Sequence, residues 1–307
     1  MRKTSLALAC ASLGLVGTVH AASSASASVG GLTFQVIDLN PFDGVDAAFS
    51  FVATAVGSTN LQVSATDNGE SDSASKSRSQ AFYTKTLSTE DLANATATAS
   101  VAQYAVSATG SATGINTSFN AQAGTSSGYY YGSSGILSLS ANSLLIVSAE
   151  ASVSAKATHA DCGYYYCGSN DWANSSASFS LNYSYASGPI NTSYNFNDSV
   201  STSASAYAGY YNYVYNPETG WYDSVYVNGS DADNSVNRTF TAVFTNSSAT
   251  TQFAGLSMSA NVYGYGSSAF PQLLSAPTAA VPEASAITMA LAGLGMGGLI
   301  YRRRRTV

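Results

Sequence analysis

Charge is scarce in this chain of 307 residues. Asp, Glu, Lys and Arg make up 9% of it, against about 25% in a typical soluble domain. Basic residues are scarcest between the termini. Arg2 and Lys3 open the chain and Arg302, Arg303, Arg304 and Arg305 nearly close it. Only Lys76, Arg78, Lys85, Lys156 and Arg238 lie between, against all 17 acids. Five against 17 leaves a body charge of −12. Such a surface repels phosphate backbones, which excludes nucleic acid as a partner. Histidine is nearly absent: with His20 in the leader described below, His159 alone remains for imidazole acid–base chemistry. Apolar residues at a 3.6-residue period are missing from every window of about 15 residues in the body, which argues against a helical domain. The chain is still no disordered polyelectrolyte, because 45% of it is apolar and 21 residues are Tyr.

Both termini read as addresses. Arg2 and Lys3 precede an apolar stretch from Ser5 to Gly17, and Val19-His20-Ala21 fits the small-x-small cleavage pattern. Residues 1–22 are therefore expected to be a secretory signal peptide, cut before Ala22 or Ser23 and delivered through the secretion translocon. At the other end, Val281-Pro282-Glu283 leads into an apolar stretch over 284–301 and then the four arginines. Eighteen helical residues reach about 27 Å, near the roughly 30 Å of a hydrocarbon core. The arginines would hold that helix with its C-terminus on the cytoplasmic side. Gly293 to Gly298 fits G-x-G-x-x-G, but the chain ends nine residues later, too soon for a βαβ unit.

The tail resembles the PEP-CTERM sorting signal of Gram-negative bacteria: a Pro-Glu-Pro motif, a transmembrane helix and a basic cluster. Val281, Pro282 and Glu283 carry the motif, with Ala284 in place of its second Pro, and Arg302, Arg303, Arg304 and Arg305 form the cluster. The segment Ile37-Asp38-Leu39-Asn40-Pro41-Phe42-Asp43-Gly44-Val45 resembles the opening of many such proteins. The run from Leu139 to Ala149 resembles their mid-domain segment. The resemblance implies processing by an exosortase, transient anchoring in the inner membrane, and a final place at the cell surface or in the extracellular matrix. It also implies an association with exopolysaccharide and biofilm, with no general enzymatic activity.

The body alternates with period two, the signature of half-buried strands. Strands are expected over 32–39, 47–55, 60–65, 97–109, 144–157, 176–185, 239–245 and 255–265. A hairpin is expected where 210–215 and 221–227 flank a turn at Asn216 to Gly220. Ten to twelve such strands predict an all-β chain, with a β-sandwich or jelly-roll-like body over 29–270. Ser23 to Ser28 reads as a spacer, Asp67 to Ser79 as a mobile loop and 271–280 as a linker before the sorting signal at 281–307.

Several clusters carry chemistry on paper. Cys162 and Cys167 are the cysteines left after cleavage, and in an oxidising compartment they read as a disulfide. It would hold Tyr164, Tyr165 and Tyr166 on a rigid tip. Tyr129, Tyr130 and Tyr131 are framed by Gly128 and Gly132 in the same manner. Aromatic faces stack on sugar rings, so both triplets are candidate polysaccharide contacts, with strand packing as the other reading. The aromatics of the 210–227 hairpin divide between these two readings, because alternation sends some of them to the core.

Asp38, Asn40, Asp43 and Asp46 offer four oxygen ligands, but Phe49 stands where an EF-hand needs Glu. A calcium loop and a plain Asx turn are the two readings there, and no other cofactor or metal is called for. A glycosidase needs paired carboxylates, for which Glu150 with Asp161 or Asp171 is the pairing available. The function expected is an exported, non-catalytic matrix or cell-surface protein contacting extracellular polysaccharide. The alternatives are a dedicated carbohydrate-binding module or a self-associating adhesin, and last a polysaccharide hydrolase.

Overall fold

The computed structural model describes residues 22–52, 57–90, 92–114, 116–127, 135–159, 170–187, 190–207 and 210–266, all within the unit Met1–Ala269. Among these residues the chain is all-β, with no helix. The strands are β1 (Ala22–Asp38), β2 (Phe49–Phe51), β3 (Gly57–Asp67), β4 (Glu70–Arg78), β5 (Lys85–Ser88), β6 (Ala95–Ala102), β7 (Ala105–Thr113) and β8 (Thr117–Ser127). They continue as β9 (Leu137–Leu139), β10 (Ser143–Thr158), β11 (Asn170–Ser187), β12 (Ile190–Tyr207), β13 (Tyr210–Asn216), β14 (Trp221–Val227), β15 (Ala232–Asn246) and β16 (Gln252–Gly266).

One sheet runs β15-β10-β1-β7-β6-β5 and the other β12-β11-β16-β8-β3-β4, with β9 joining β2 to β16. Neighbouring strands pair antiparallel throughout. The inner faces meet where β1 packs on β11 and β16, β7 on β8 and β16, and β10 on β11 and β12. The layers curl into a half-barrel.

Alanine and serine alternation builds these strands. In β10 the inner positions are Leu145, Val147, Ala149, Ala151, Val153, Ala155 and Ala157, all buried. Among the described residues, more than half of the buried apolar ones are alanine. Each alanine covers little apolar area, so strand length supplies the buried surface. β1, β10, β11 and β12 run 17, 16, 18 and 18 residues, against a usual length of about 5–6. The outer positions carry hydroxyls that bond across strands. Examples are Ser26–Ser154 at 2.8 Å, Thr96–Ser111 at 2.9 Å and Ser178–Ser259 at 2.7 Å. Such cross-strand pairs fix register on the solvent face.

β1 changes face midway. Ser23, Ala25, Ala27 and Val29 point inward, and beyond a bulge Leu32, Phe34 and Val36 do so instead. Register with β10 shifts between Gly30 and Thr33, inserting one residue. Gly31 takes φ +61° there, a conformation glycine adopts without strain. Gly31→Ala should therefore cost about 1–2 kcal/mol in urea unfolding. A change within about 0.3 kcal/mol would show that the bulge relaxes.

Three sequence expectations are corrected. Ser23 to Ser28, expected as a spacer, is the first half of a central strand, held between β7 and β10 from Ala22 onward. Asp67 to Ser79, expected as a mobile loop, is mostly β4, hairpinned to β3 through Asn68 and Gly69 at positive φ. The stretch 97–109, expected as one strand, turns at Gln103 and Tyr104 into β6 and β7. No helix among the described residues is long and apolar enough to cross a membrane. Residues 1–21 of the expected signal peptide, the linker at 271–280, the span at 284–301, the motif at Val281, Pro282 and Glu283, and Arg302, Arg303, Arg304 and Arg305 lie outside them.

Candidate functional site

β13 and β14 form a two-stranded sheet of their own. The turn is held by Asn216, whose carbonyl accepts from Gly220 N (2.9 Å) and whose Oδ1 accepts from Glu218 N (2.9 Å). Asn216 Nδ2 also donates to Asp223 Oδ2 at 2.7 Å. At its base, Tyr207 and Ser230 exchange two backbone hydrogen bonds, of 3.0 and 2.9 Å. Both ends of the ribbon are thus tied.

Its aromatics face outward. Trp221 is 77% exposed, Tyr213 68%, Tyr222 66% and Tyr215 54%. The expectation that alternation sends some of them to the core is not met by these four, because the ribbon joins neither large sheet. Pairing of Tyr215 with Tyr222 and of Tyr213 with Ser224 puts three tyrosines on one face. The rings of Tyr215 and Tyr222 meet edge to face at 5.4 Å. Trp221 shares the other face with Val214 and Val225. An isolated hairpin is marginal in water, and one carrying four open aromatic rings presents apolar area suited to a partner. Its charged groups are Glu218 and Asp223, both acidic, with no cation among 210–227.

The oxygen-rich loop at Asp38 to Asp46 is built as Asx turns. Asp38 Oδ1 accepts from Asn40 N and Asp43 Oδ1 from Val45 N, each at 2.8 Å. Asp43 N donates to the Asn40 carbonyl (3.1 Å), and Gly44 takes φ +73°. Asn142 brings in the second of the two segments singled out in the sequence. Its Nδ2 donates to Asp43 Oδ2 at 2.6 Å, and its carbonyl accepts from Leu39 N at 2.8 Å. Asp46 lies exposed beyond the turn. The carboxylates of Asp38 and Asp43 thus bind the protein's own amides, which favours the Asx reading over the calcium reading. Among the described residues no three of His, Cys, Asp and Glu gather as a metal site.

The Asn142 amide, and then the Val45 N–H, hold the Asp43 carboxyl below its ordinary 3.8. A depressed carboxylate contributes stability that is present above 3.8 and lost as pH falls through the lower, folded value. NMR titration should therefore find Asp43 protonating below 3.8 and moving back toward it in Asn142→Ala. An unmoved midpoint would show that Asn142 does not hold the carboxylate.

Of the two pairings suggested for catalysis, only Glu150 with Asp171 falls within the described residues, and it separates. Glu150 is exposed on the outer face of β10, whereas Asp171 is buried on the inner face of β11, so the two cannot flank one bond. His159 Nδ1 meets Asp231 Oδ1 at 2.6 Å, and the same oxygen accepts from His159 N at 2.9 Å. The backbone bond first, and then the imidazole, lower the Asp231 carboxyl. Asp161, Cys162, Cys167, Tyr164, Tyr165 and Tyr166 lie outside the described residues, as do Tyr129, Tyr130 and Tyr131. The ribbon was legible as a hairpin, but nothing in its alternation marked both faces as open. No protein-family model, no curated protein and no solved structure matches this chain.

Proposed function

We propose that this chain is an exported, non-catalytic protein of the cell surface or extracellular matrix that contacts polysaccharide through the β13–β14 ribbon. The exposure of Tyr213, Tyr215, Trp221 and Tyr222 on a hairpin outside both large sheets carries the reading. Aromatic rings offer large, stiff contact area at low entropy cost, and sugar rings present the C–H faces that stack on them. Glu218, Asp223 and the acidic body make a polyanion a poor partner, so the polymer class favoured is a neutral polysaccharide.

The two curled layers are read more finely as a β-sandwich, with β4, β5, β12 and β15 as the outermost strands of the two sheets. The termini supply the rest: a secretory leader, and a PEP-CTERM-like tail handled by an exosortase after transient residence in the inner membrane. The β12 edge favours polysaccharide contact over edge-to-edge self-association. Arg238 donates to the Ser199 carbonyl (3.2 Å) and pairs with Asp198 (2.8 Å), while Asn234 Nδ2 donates to the Ser203 carbonyl (2.7 Å). These bonds occupy carbonyls that a docking strand would need.

The test co-sediments the protein with extracellular polysaccharide of its host and assays reducing ends in the same tube. Protein in the pellet without new reducing ends is expected. Protein left in the supernatant would contradict the contact, and new reducing ends would replace it with a hydrolase.

A further inference from the structure

A second surface feature stands apart from the ribbon and takes a different ligand shape. The end of β2, the β4–β5 connection and the β6–β7 turn meet around a cavity of about 320 Å³. Phe51, Phe82 and Tyr104 supply its aromatic wall, and Gln80, Gln103 and Thr84 its polar groups. The Phe51 and Tyr104 rings stack at 4.4 Å and 25°, and Phe82 meets Tyr104 at 5.5 Å and 61°. All three rings are half-buried, whereas Gln80, Thr84 and Gln103 are exposed.

The wall is held in place from beneath. Phe82 N donates to Thr125 Oγ1 at 2.7 Å, and Tyr83 N to Thr59 Oγ1 at 3.1 Å. Thr59 Oγ1 donates in turn to the Gln80 carbonyl at 2.8 Å. Both threonines are buried. Backbone strain is concentrated at the same place: Phe82 takes φ +54° and Tyr104 φ +60°. Bulky side chains rarely adopt that region, and such residues persist where surrounding structure overdetermines them, often at ligand sites. Here two of the five described non-glycine residues at positive φ are aromatic, and both line this one cavity.

We infer that this cavity is a binding site for a single neutral hexopyranose unit, such as the end of a glycan chain. The volume lies at the small end of the range for ligand pockets, roughly 300–1,000 Å³. Aromatic carbon matches the apolar face of a pyranose. Each glutamine amide offers both a donor and an acceptor, the pair that adjacent sugar hydroxyls require. Among the described residues no Asp, Glu, Lys or Arg lines the cavity, so none of them supplies a counter-ion for a charged ligand. The inference extends polysaccharide contact from stacking along a ribbon to capture of one residue, but its evidence is independent of β13–β14.

Saturation-transfer NMR on the full chain tests it, with D-glucose, D-galactose, D-mannose and N-acetyl-D-glucosamine as probes. At least one should receive saturation when aromatic protons are irradiated. In Gln80→Ala/Gln103→Ala, which removes only exposed amides, that signal should fall to the no-protein background. Tyr104→Gly should do the same, and glycine accepts the positive φ. A variant with Tyr213, Tyr215, Trp221 and Tyr222 all changed to Ser should keep the monosaccharide signal while losing polymer retention. That divides a failure of the cavity from a failure of the ribbon. Absence of transfer to all four sugars, or transfer that survives both cavity variants, overturns the assignment.

Discussion

Phe119→Ala should lower unfolding stability by about 3–5 kcal/mol, the range for a buried phenylalanine that leaves a cavity. Phe119 is a large ring in a core made mostly of alanine, and it is 2% exposed. Two glycines make room for it. A Cβ on Gly110 of β7, in the facing sheet, would overlap Phe119 Cδ2. One on Gly264, its register partner in β16, would lie 2.5 Å from the far side of the ring. Gly110→Ala alone should therefore cost about 1–3 kcal/mol by overpacking. The double variant Gly110→Ala/Phe119→Ala should be more stable than the sum of the two losses by about 0.5–3 kcal/mol, because the new methyl enters the space the ring vacates. Urea unfolding at constant m-value reads this directly. Strict additivity would mean that the ring and Gly110 do not share that space.

Changing Tyr213, Tyr215, Trp221 and Tyr222 together to Ser should weaken retention on neutral polysaccharide by roughly a thousandfold. The figure follows if each ring contributes about 1 kcal/mol on contact, the middle of the range for aromatic pairs. None of the four belongs to either large sheet, so the unfolding transition of the body should stay in place. The parallel variant with Ser at Tyr129 to Tyr131 and Tyr164 to Tyr166 tests the two triplets proposed from sequence. The ribbon is assigned the greater loss. Unchanged retention in the ribbon variant, with loss in the triplet variant, would move the contact to the triplets.

The strand class was legible because alternation survives even where the apolar member is only alanine. Strand extent was not. β8 and β12 escaped notice because alanine, serine and threonine differ too little in hydropathy to mark a face. Their inner positions include Ala121, Ala123, Thr125, Ala204 and Ala206. Ser23 to Ser28 looked like a spacer for the same reason, and its separation from 32–39 came from the Gly30–Gly31 bulge that reverses the face. The Asp38 to Asp46 turn chemistry was readable residue by residue, but its link to Asn142 spans 99 positions and only the fold supplies it. Phe82 and Tyr104 carried no signal at all, since aromatic residues rarely take a positive φ and no local pattern announces one.

The most direct test of the polysaccharide contact is Trp221 emission during titration with neutral host polysaccharide. Trp221 is 77% exposed, whereas Trp172 sits half-buried on β11, edge-on to Tyr263 at 5.3 Å. A saturable blue shift, lost in Trp221→Phe, is the result expected of a ring leaving water for a sugar face. Emission that stays unshifted while the protein is retained on the polymer would place the contact elsewhere and contradict the ribbon assignment.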